Sequence, residues 1–417
     1  MKKVIGMLAL VALVGNIANA ELLKNFKYDG KIEVNAYTNS NDADMNSDVN
    51  DKTSDVDTRV QLNMGFDLSE DVNAVVSIVK NDRQYGEGSQ DVNTITTLLN
   101  VEQAYLNLKG VMGFDHKVGR QYYGNEGDLV VYYGPTAWPY MSRTIPLVTI
   151  ADNAMPVNAL DAYTGWYKTG KWDFHAVLGK TANNNATPNV DTDLTGVVAS
   201  YDLREEVKLG AYVYERKTYA LTNDTTLDVV GVKAMGKVKG FDYGAELAKN
   251  YGRKAAGVNY TGSAFKANLA YGLDLSGKMD LTGEYVMGSG NKASADKDED
   301  FTAISSDYRV GMMNAFNNVN GVANLTAWNV GAKWMPSAIE KLSLGAKVYH
   351  MSPTEEPAGY DTYGNELDLC AGWMHSENVG LKAYFAYFMP DSDYADTVFA
   401  GKDDASTLLG ASLTVKF

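Results

Sequence analysis

The chain has 417 residues, with 52 acidic against 37 basic side chains and a formal charge of −15. That balance argues against a nucleic-acid partner, which needs a basic footprint. One cysteine, Cys370, cannot make an intramolecular disulfide, and four scattered histidines lack any H-E-x-x-H or Cys/His spacing, so neither a metal nor a cofactor is expected.

In chain order, the first feature reads as a secretory signal peptide over residues 1–20. Lys2 and Lys3 precede an apolar run, Val4–Val14, and Ala18-Asn19-Ala20 is an A-x-A cleavage site. Cleavage there leaves Glu21 first and a charge of −17 (−15 − 2, two lysines and no acid removed). No later stretch approaches the roughly twenty apolar residues of a membrane-spanning helix. Residues 21–417 contain no linker or composition shift, and 9 prolines stand beside 39 glycines and 27 tyrosines. One large antiparallel sheet with many turns fits this better than several domains.

Segments of alternating polarity recur throughout. Lys27–Asn39, Asp57–Leu68, Val72–Arg83, Leu98–Leu108 and His116–Tyr123 come first. After an irregular stretch, Gly124–Ala159, come Leu160–Tyr167, Trp172–Thr181, Asp193–Asp202, Val207–Lys217, Thr226–Val238 and Phe241–Asn250. Ser263–Leu275, Lys278–Met287, Leu325–Met335, Leu342–Met351, Asn365–His375, Val379–Met389 and Ala405–Phe417 complete the series. In the last of these Leu409, Ala411, Leu413, Val415 and Phe417 share one face. The connections alternate, long and polar after odd strands, short after even ones.

A soluble sandwich has no reason to sort its connections this way. The prediction is an all-β fold, a transmembrane antiparallel β-barrel of about 18 strands with short periplasmic turns and long extracellular loops. Ala405–Phe417 would pair with Lys27–Asn39 to close it. Every backbone polar group is then paired within the protein, with the apolar parity facing lipid.

That parity assigns side chains to the lumen. The basic ones are Lys27, Lys31, Arg59, Arg83, Lys208, Arg216, Lys233, Lys347 and Lys382, with Arg120 added; the acidic ones are Glu33, Asp67, Asp161, Glu246, Glu284, Glu366 and Asp368. Most arginines lie on early strands, and Glu246, Glu284, Glu366 and Asp368 on the eleventh, thirteenth and sixteenth. Opposed walls of this kind would set a transverse field and an ion preference. The alternative is cross-lumen ion pairing that stiffens the wall.

Gly124–Ala159 is too aromatic to lie open to water. Folded into the mouth it would narrow the pore, with Tyr132, Tyr133, Trp138 and Tyr140 stacking on sugar rings and Asp128 and Arg143 hydrogen-bonding. The alternative is that it only packs against the wall. The acidic runs within Asp42–Asp57 and Asp296–Asp300 read as solvated loop tips. A second reading has them bind divalent cations that bridge to lipopolysaccharide. They lack the EF-hand pattern.

The stretch Glu102–Tyr123, EQAYLNLKGVMGFDHKVGRQYY, resembles the Q-A-Y…G-R-Q segment of porin-like barrels. Phe301, Met312–Asn318, Val330–Pro336, Gly364–Leu369 and Phe388–Asp391, then the closing strand, resemble in order the alginate-export family. That resemblance implies an eighteen-stranded outer-membrane barrel passing an anionic polysaccharide. The strand ending at Phe417 is similar to the signature read by the barrel-assembly machinery. The expected function is passive diffusion of small hydrophilic solutes or ions through the outer membrane, in contact with its lipid and lipopolysaccharide. A dedicated channel for a saccharide or anionic polysaccharide is the alternative. Without G-x-S-x-G or an ordered Ser/His/Asp set, no enzyme is expected.

Overall fold

A computed structural model of the chain describes residues 25–41, 44–82, 99–135, 159–182, 191–220, 223–292, 296–313 and 321–417. The signal-peptide segment, Arg83, Trp138, Tyr140 and Arg143 lie outside the described residues.

Eighteen antiparallel strands close into one barrel. They begin with β1 (Lys27–Ser40), β2 (Thr53–Asp67), β3 (Val72–Asp82), β4 (Leu99–Val111), β5 (Phe114–Gln121) and β6 (Leu160–Thr169). Then follow β7 (Trp172–Ala182), β8 (Thr192–Arg204), β9 (Val207–Thr218), β10 (Thr225–Val238), β11 (Phe241–Arg253) and β12 (Ser263–Asp274). The last are β13 (Gly277–Gly288), β14 (Leu325–Pro336), β15 (Leu342–Ser352), β16 (Gly364–Met374), β17 (Val379–Pro390) and β18 (Ser406–Lys416). β18 pairs with β1, Lys416 opposite Lys31 and Thr407 opposite Ser40, and this seam closes the sheet. One short helix, α1 (Ser392–Val398), lies in the connection from β17 to β18.

The alternation seen in sequence becomes two faces. Val60, Val232, Leu247, Val330, Val348 and Leu409 point outward with nothing of the protein over them, as a lipid-facing belt requires. At the turn end, aromatic side chains on this outer face touch across strands. Ring centroids are 5.0 Å apart for Phe114 and Tyr167, 4.7 Å for Trp172 and Tyr201, and 4.5 Å for Phe241 and Tyr271. Turns here are as short as Lys239-Gly240, where both residues take positive φ, 49° and 85°; glycine meets that demand without a Cβ clash. Glycine and tyrosine are plentiful partly because they pair. Tyr214, Tyr212 and Tyr384 lie inward across Gly196, Gly231 and Gly410, their register partners, in space that a Cβ would fill.

At the loop end the outer face has two characters. On β13–β15 it carries Tyr285 opposite Trp328, with His350 5.7 Å from Trp328. On β5–β9 it carries a row of alternating charge, in which Arg120 opposes Asp161, Asp161 opposes Lys180, Lys180 opposes Asp193 and Asp193 opposes Lys217. Arg120 Nη1 is 3.2 Å from Asp161 Oδ2, and Lys180 Nζ 3.0 Å from Asp193 Oδ1. This corrects the lumen assignment of Arg120 and Asp161. They share the parity of Phe114, Val118 and Tyr163, which are outward and exposed. At the membrane rim a charge can face outward because headgroups and water solvate it; only near mid-bilayer does it cost about 2–4 kcal/mol.

The densest apolar packing is inside the barrel rather than on its lipid face. Leu160, Val177, Leu194, Leu227, Val229, Val286, Leu325 and Ala327 point inward and meet Leu129, Val130, Val131, Phe301, Ile304 and Met313 from two segments that leave the wall.

Candidate pore constriction

Among the described residues, two connections fold into the lumen. The first strap, residues 122–135, runs on from β5; its Tyr123–Gly124 and Tyr132–Tyr133 pair with each other, and Leu129–Val131 are buried. The second strap, residues 296–313, lies between β13 and β14. The two meet inside the barrel, where Val131 and Ser305 form a parallel bridge. Tyr132 N donates to Ser305 O at 2.5 Å and Ser305 N to Val130 O at 3.1 Å. Ser306 Oγ donates to Asp128 O at 2.7 Å, and Gly127 N to Asp307 Oδ1 at 2.9 Å. Burial pushes the Asp307 carboxyl above the usual carboxylate range, against the pull of the Gly127 amide.

The wall of β9–β16 holds both straps. Lys233 Nζ lies 3.3 Å from Asp128 Oδ1, and Lys266 Nζ donates to Gly127 O at 3.1 Å. The second strap is held by Arg216 Nη1 donating to Ile304 O and by a reciprocal pair of bonds between Asn250 and Thr302 at 2.8 and 2.9 Å. Tyr308 Oη donates to Glu284 Oε1 at 2.7 Å. Further along, Met312 N donates to Asp368 Oδ2 at 3.1 Å and Met313 N to Glu366 Oε1 at 2.8 Å.

The expected acidic arc therefore exists, but Glu366 and Asp368, 1 % and 4 % exposed, are covered by the second strap and do not line open water. Glu246 is also buried; it accepts from Tyr212 Oη at 2.7 Å and pairs with Lys233 at 3.4 Å. The causes differ: Glu366 and Asp368 are satisfied by backbone N–H donors of the strap lying on them, Glu246 by a hydroxyl and an ammonium of neighbouring wall strands.

The wall of β1–β4 is built differently. Glu33 and Arg59 are register partners, with Arg59 Nη2 and Nε each 2.5 Å from Glu33 Oε2, and Lys31 Nζ lies 3.1 Å from the same oxygen. Asn63, Ser77 and Gln103 continue the polar surface, linked at 2.7 and 3.2 Å. Glu102, unassigned from sequence, also points inward and is buried, within electrostatic reach of Arg59 and Lys31. A register shift between β3 and β4 puts it there, out of step with simple alternation. Arg59 and Glu102 from that wall, and Glu126 and Asp307 from the straps, all lie within electrostatic reach of the Tyr132 hydroxyl.

Away from the straps the inward face keeps access to solvent. Lys31, Lys208 and Lys347 are half-buried and Lys382 is exposed, although all point into the barrel. Lys117 joins them, with Nζ 4.6 Å from the Tyr105 ring centroid and 5.8 Å from that of Trp166. Tyr132 donates to Pro135 O at 3.0 Å, and Tyr133 is half-buried against the apolar cluster. The second strap is the feature that sequence reading missed. Phe301, Ala303, Ile304, Tyr308, Val310, Met312 and Met313, apolar residues following an acidic run, were its signal. Nor is that run only a solvated tip: Asp298 is buried, its Oδ2 2.8 Å from Lys254 Nζ.

A closed barrel with two inward straps and a polar, half-exposed interior defines a porin-like architecture. No family model and no curated protein matches the chain. Solved structures are similar in fold. Pseudomonas aeruginosa OccK11 (OpdR) gives a TM-score of 0.59 at 11% identity, over 95% of this chain and 97% of that one. Pseudomonas aeruginosa OccK3 (OpdO) gives 0.59 at 10%, over 95% and 97%. A BenF-like porin from Pseudomonas fluorescens Pf-5 gives 0.56 at 10%, over 95% and 100%. The resemblance seen in sequence stands at the level of a porin-like barrel, and the alginate-export family gains no support. Phe301, Glu366 and Phe388, within the motifs that suggested that family, are all buried inside the barrel.

Proposed function

We propose that the chain is an outer-membrane porin passing small hydrophilic solutes and ions by passive diffusion. The observation that carries this is that Lys31, Lys117, Lys208 and Lys347, half-buried, and Lys382, exposed, all point into the barrel and keep access to solvent there. Inward side chains stay exposed only where the interior holds water. The passage runs between the Arg59–Glu33 pair and the straps, so its charges set ion preference. Purified protein in a planar bilayer should give ohmic conductance; a folded barrel that never conducts overturns the reading. The fold class of the structural neighbours supports the same placement in the outer membrane.

Within this reading, residues 1–20 are a cleaved export signal, and N-terminal sequencing of the membrane-extracted protein should begin at Glu21. Ser406–Phe417 addresses the barrel to its assembly machinery, and the acidic outer loops contact lipopolysaccharide through divalent cations. A saccharide channel is a second reading, favoured by the aromatic inward surface of Tyr105 and Trp166, with His175 stacked on Trp166 at 4.8 Å. It requires an added oligosaccharide to block ion current.

A further inference from the structure

Glu366 and Asp368 stand two residues apart on β16, on one face, and both are buried. Each accepts one backbone N–H from the second strap, through Glu366 Oε1 and Asp368 Oδ2. Their other oxygens, Glu366 Oε2 and Asp368 Oδ1, are buried without a donor. The amides they accept belong to consecutive strap residues, Met312 for Asp368 and Met313 for Glu366, so the two carboxyl groups are held side by side. Two carboxylates offer only acceptors, so the donor that fits between them is a proton on one. Gly311, at φ 76°, brings the strap's backbone against Glu366, where a Cβ would collide with the carboxyl.

We propose that Glu366 and Asp368 are a proton-dependent latch that decides whether the second strap lies across the lumen. With one proton shared, the pair holds a single charge and takes both strap amides. When that proton leaves to solvent, two like charges face each other in a pocket with little water, and release of the strap relieves them by admitting water and freeing both side chains to turn apart. The surroundings do not cancel the second charge. β15 presents Tyr349, which donates to Asp368, and Lys347, which acts on it from further away. β17 presents Phe388 and Ala386, both uncharged and fully buried. From β13, Glu284 is engaged by Tyr308, and the strap itself brings Asp307 and Arg309, of opposite sign.

The conductance readout rests on the porin reading, so the deciding test does not use conductance. Met313 is fully buried when docked, and Cys370 is the chain's one cysteine. In a Met313→Cys, Cys370→Ser background, maleimide labelling reports release of the strap. Dividing each rate by that of the same protein carrying Glu366→Gln cancels the thiol's own ionisation. Gln supplies a permanent donor to Asp368 and keeps the strap docked. The ratio should rise by about tenfold per pH unit once the shared proton is lost, the slope of a one-proton linkage. A ratio that is flat with pH overturns the latch. The double variant Glu366→Ala, Asp368→Ala should label fast at every pH while still showing the heat-modifiable gel mobility of a folded barrel. If that folded protein labels as slowly as the parent at low pH, the pair does not hold the strap. In a bilayer the same transition should add a larger conductance level in the parent and none in Glu366→Gln. If labelling follows the latch but no current is seen, the porin reading fails and the latch stands.

Discussion

The walls of β1–β4 and β9–β16 use the same inward carboxylates and do different things with them. On the first, Glu33 is neutralised within the wall by Arg59 and Lys31, so no loop is needed to satisfy it. On the second, Glu284, Glu366 and Asp368 take donors from a segment that crosses the lumen. One wall thus keeps its charge for the passage, and the other spends it on narrowing that passage. The source of the donors, not the residue type, separates lining from anchoring.

Excising the second strap should break the comparison most. With a short Gly-Ser linker in place of residues 296–313, the acidic wall becomes lining, and single-channel conductance should rise severalfold with a shift toward cations. An unchanged conductance would show that the strap does not constrict the pore. Next comes Arg59→Ala, which leaves Glu33 buried with only Lys31 beside it. Removing one partner of a buried pair costs about 3–5 kcal/mol, and a lowered urea midpoint should report it. Loss of this cation should also move the reversal potential toward cation preference; equal potentials would sever Arg59 from selectivity.

Tyr308→Phe tests the anchoring wall more gently. It removes one hydrogen bond to a carboxylate, worth about 1.5–3 kcal/mol, and should loosen the strap while leaving the barrel intact. Faster amide exchange confined to 301–313 is the expected signature, and exchange spread evenly over the strands would argue against it. The smallest effect belongs to Arg120→Ala. Its partner Asp161 is largely exposed on the outer face, so the change should cost about 0.2–1 kcal/mol, with conductance and ion preference untouched. A shifted reversal potential would return Arg120 to the lumen.

The barrel was legible because period-two alternation needs nothing beyond neighbouring residues. Every strand predicted from Lys27 to Phe417 has its counterpart within a few positions. Parity was legible for the same reason, and Glu33, Arg59 and Gln61 fall where alternation puts them. It misled where its premise failed. At Arg120 and Asp161 a rim charge was read as a lumen charge. At Glu102 a bulge moved one residue out of step. The straps were half legible. Tyr132 and Tyr133 stood out as aromatic residues in a loop, whereas Phe301–Met313 followed an acidic run that masked them. That Glu366 and Asp368 receive strap amides is a contact between chain segments 53 and 56 residues apart, and alternation within a strand carries no trace of it.

The seam between β1 and β18 has a consequence for how the molecule is made. Ser40 Oγ and Thr407 Oγ1 meet at 2.9 Å across 367 residues of chain, so the ring cannot close until nearly all of it exists. Contacts of such sequence separation form slowly. Until they do, β1 and β18 are bare edges, able to pair with any other extended chain, and the apolar belt has no lipid over it. The last hairpin is therefore also the safeguard against aggregation. A substitution that slows its docking would show first as lost yield rather than as an altered pore.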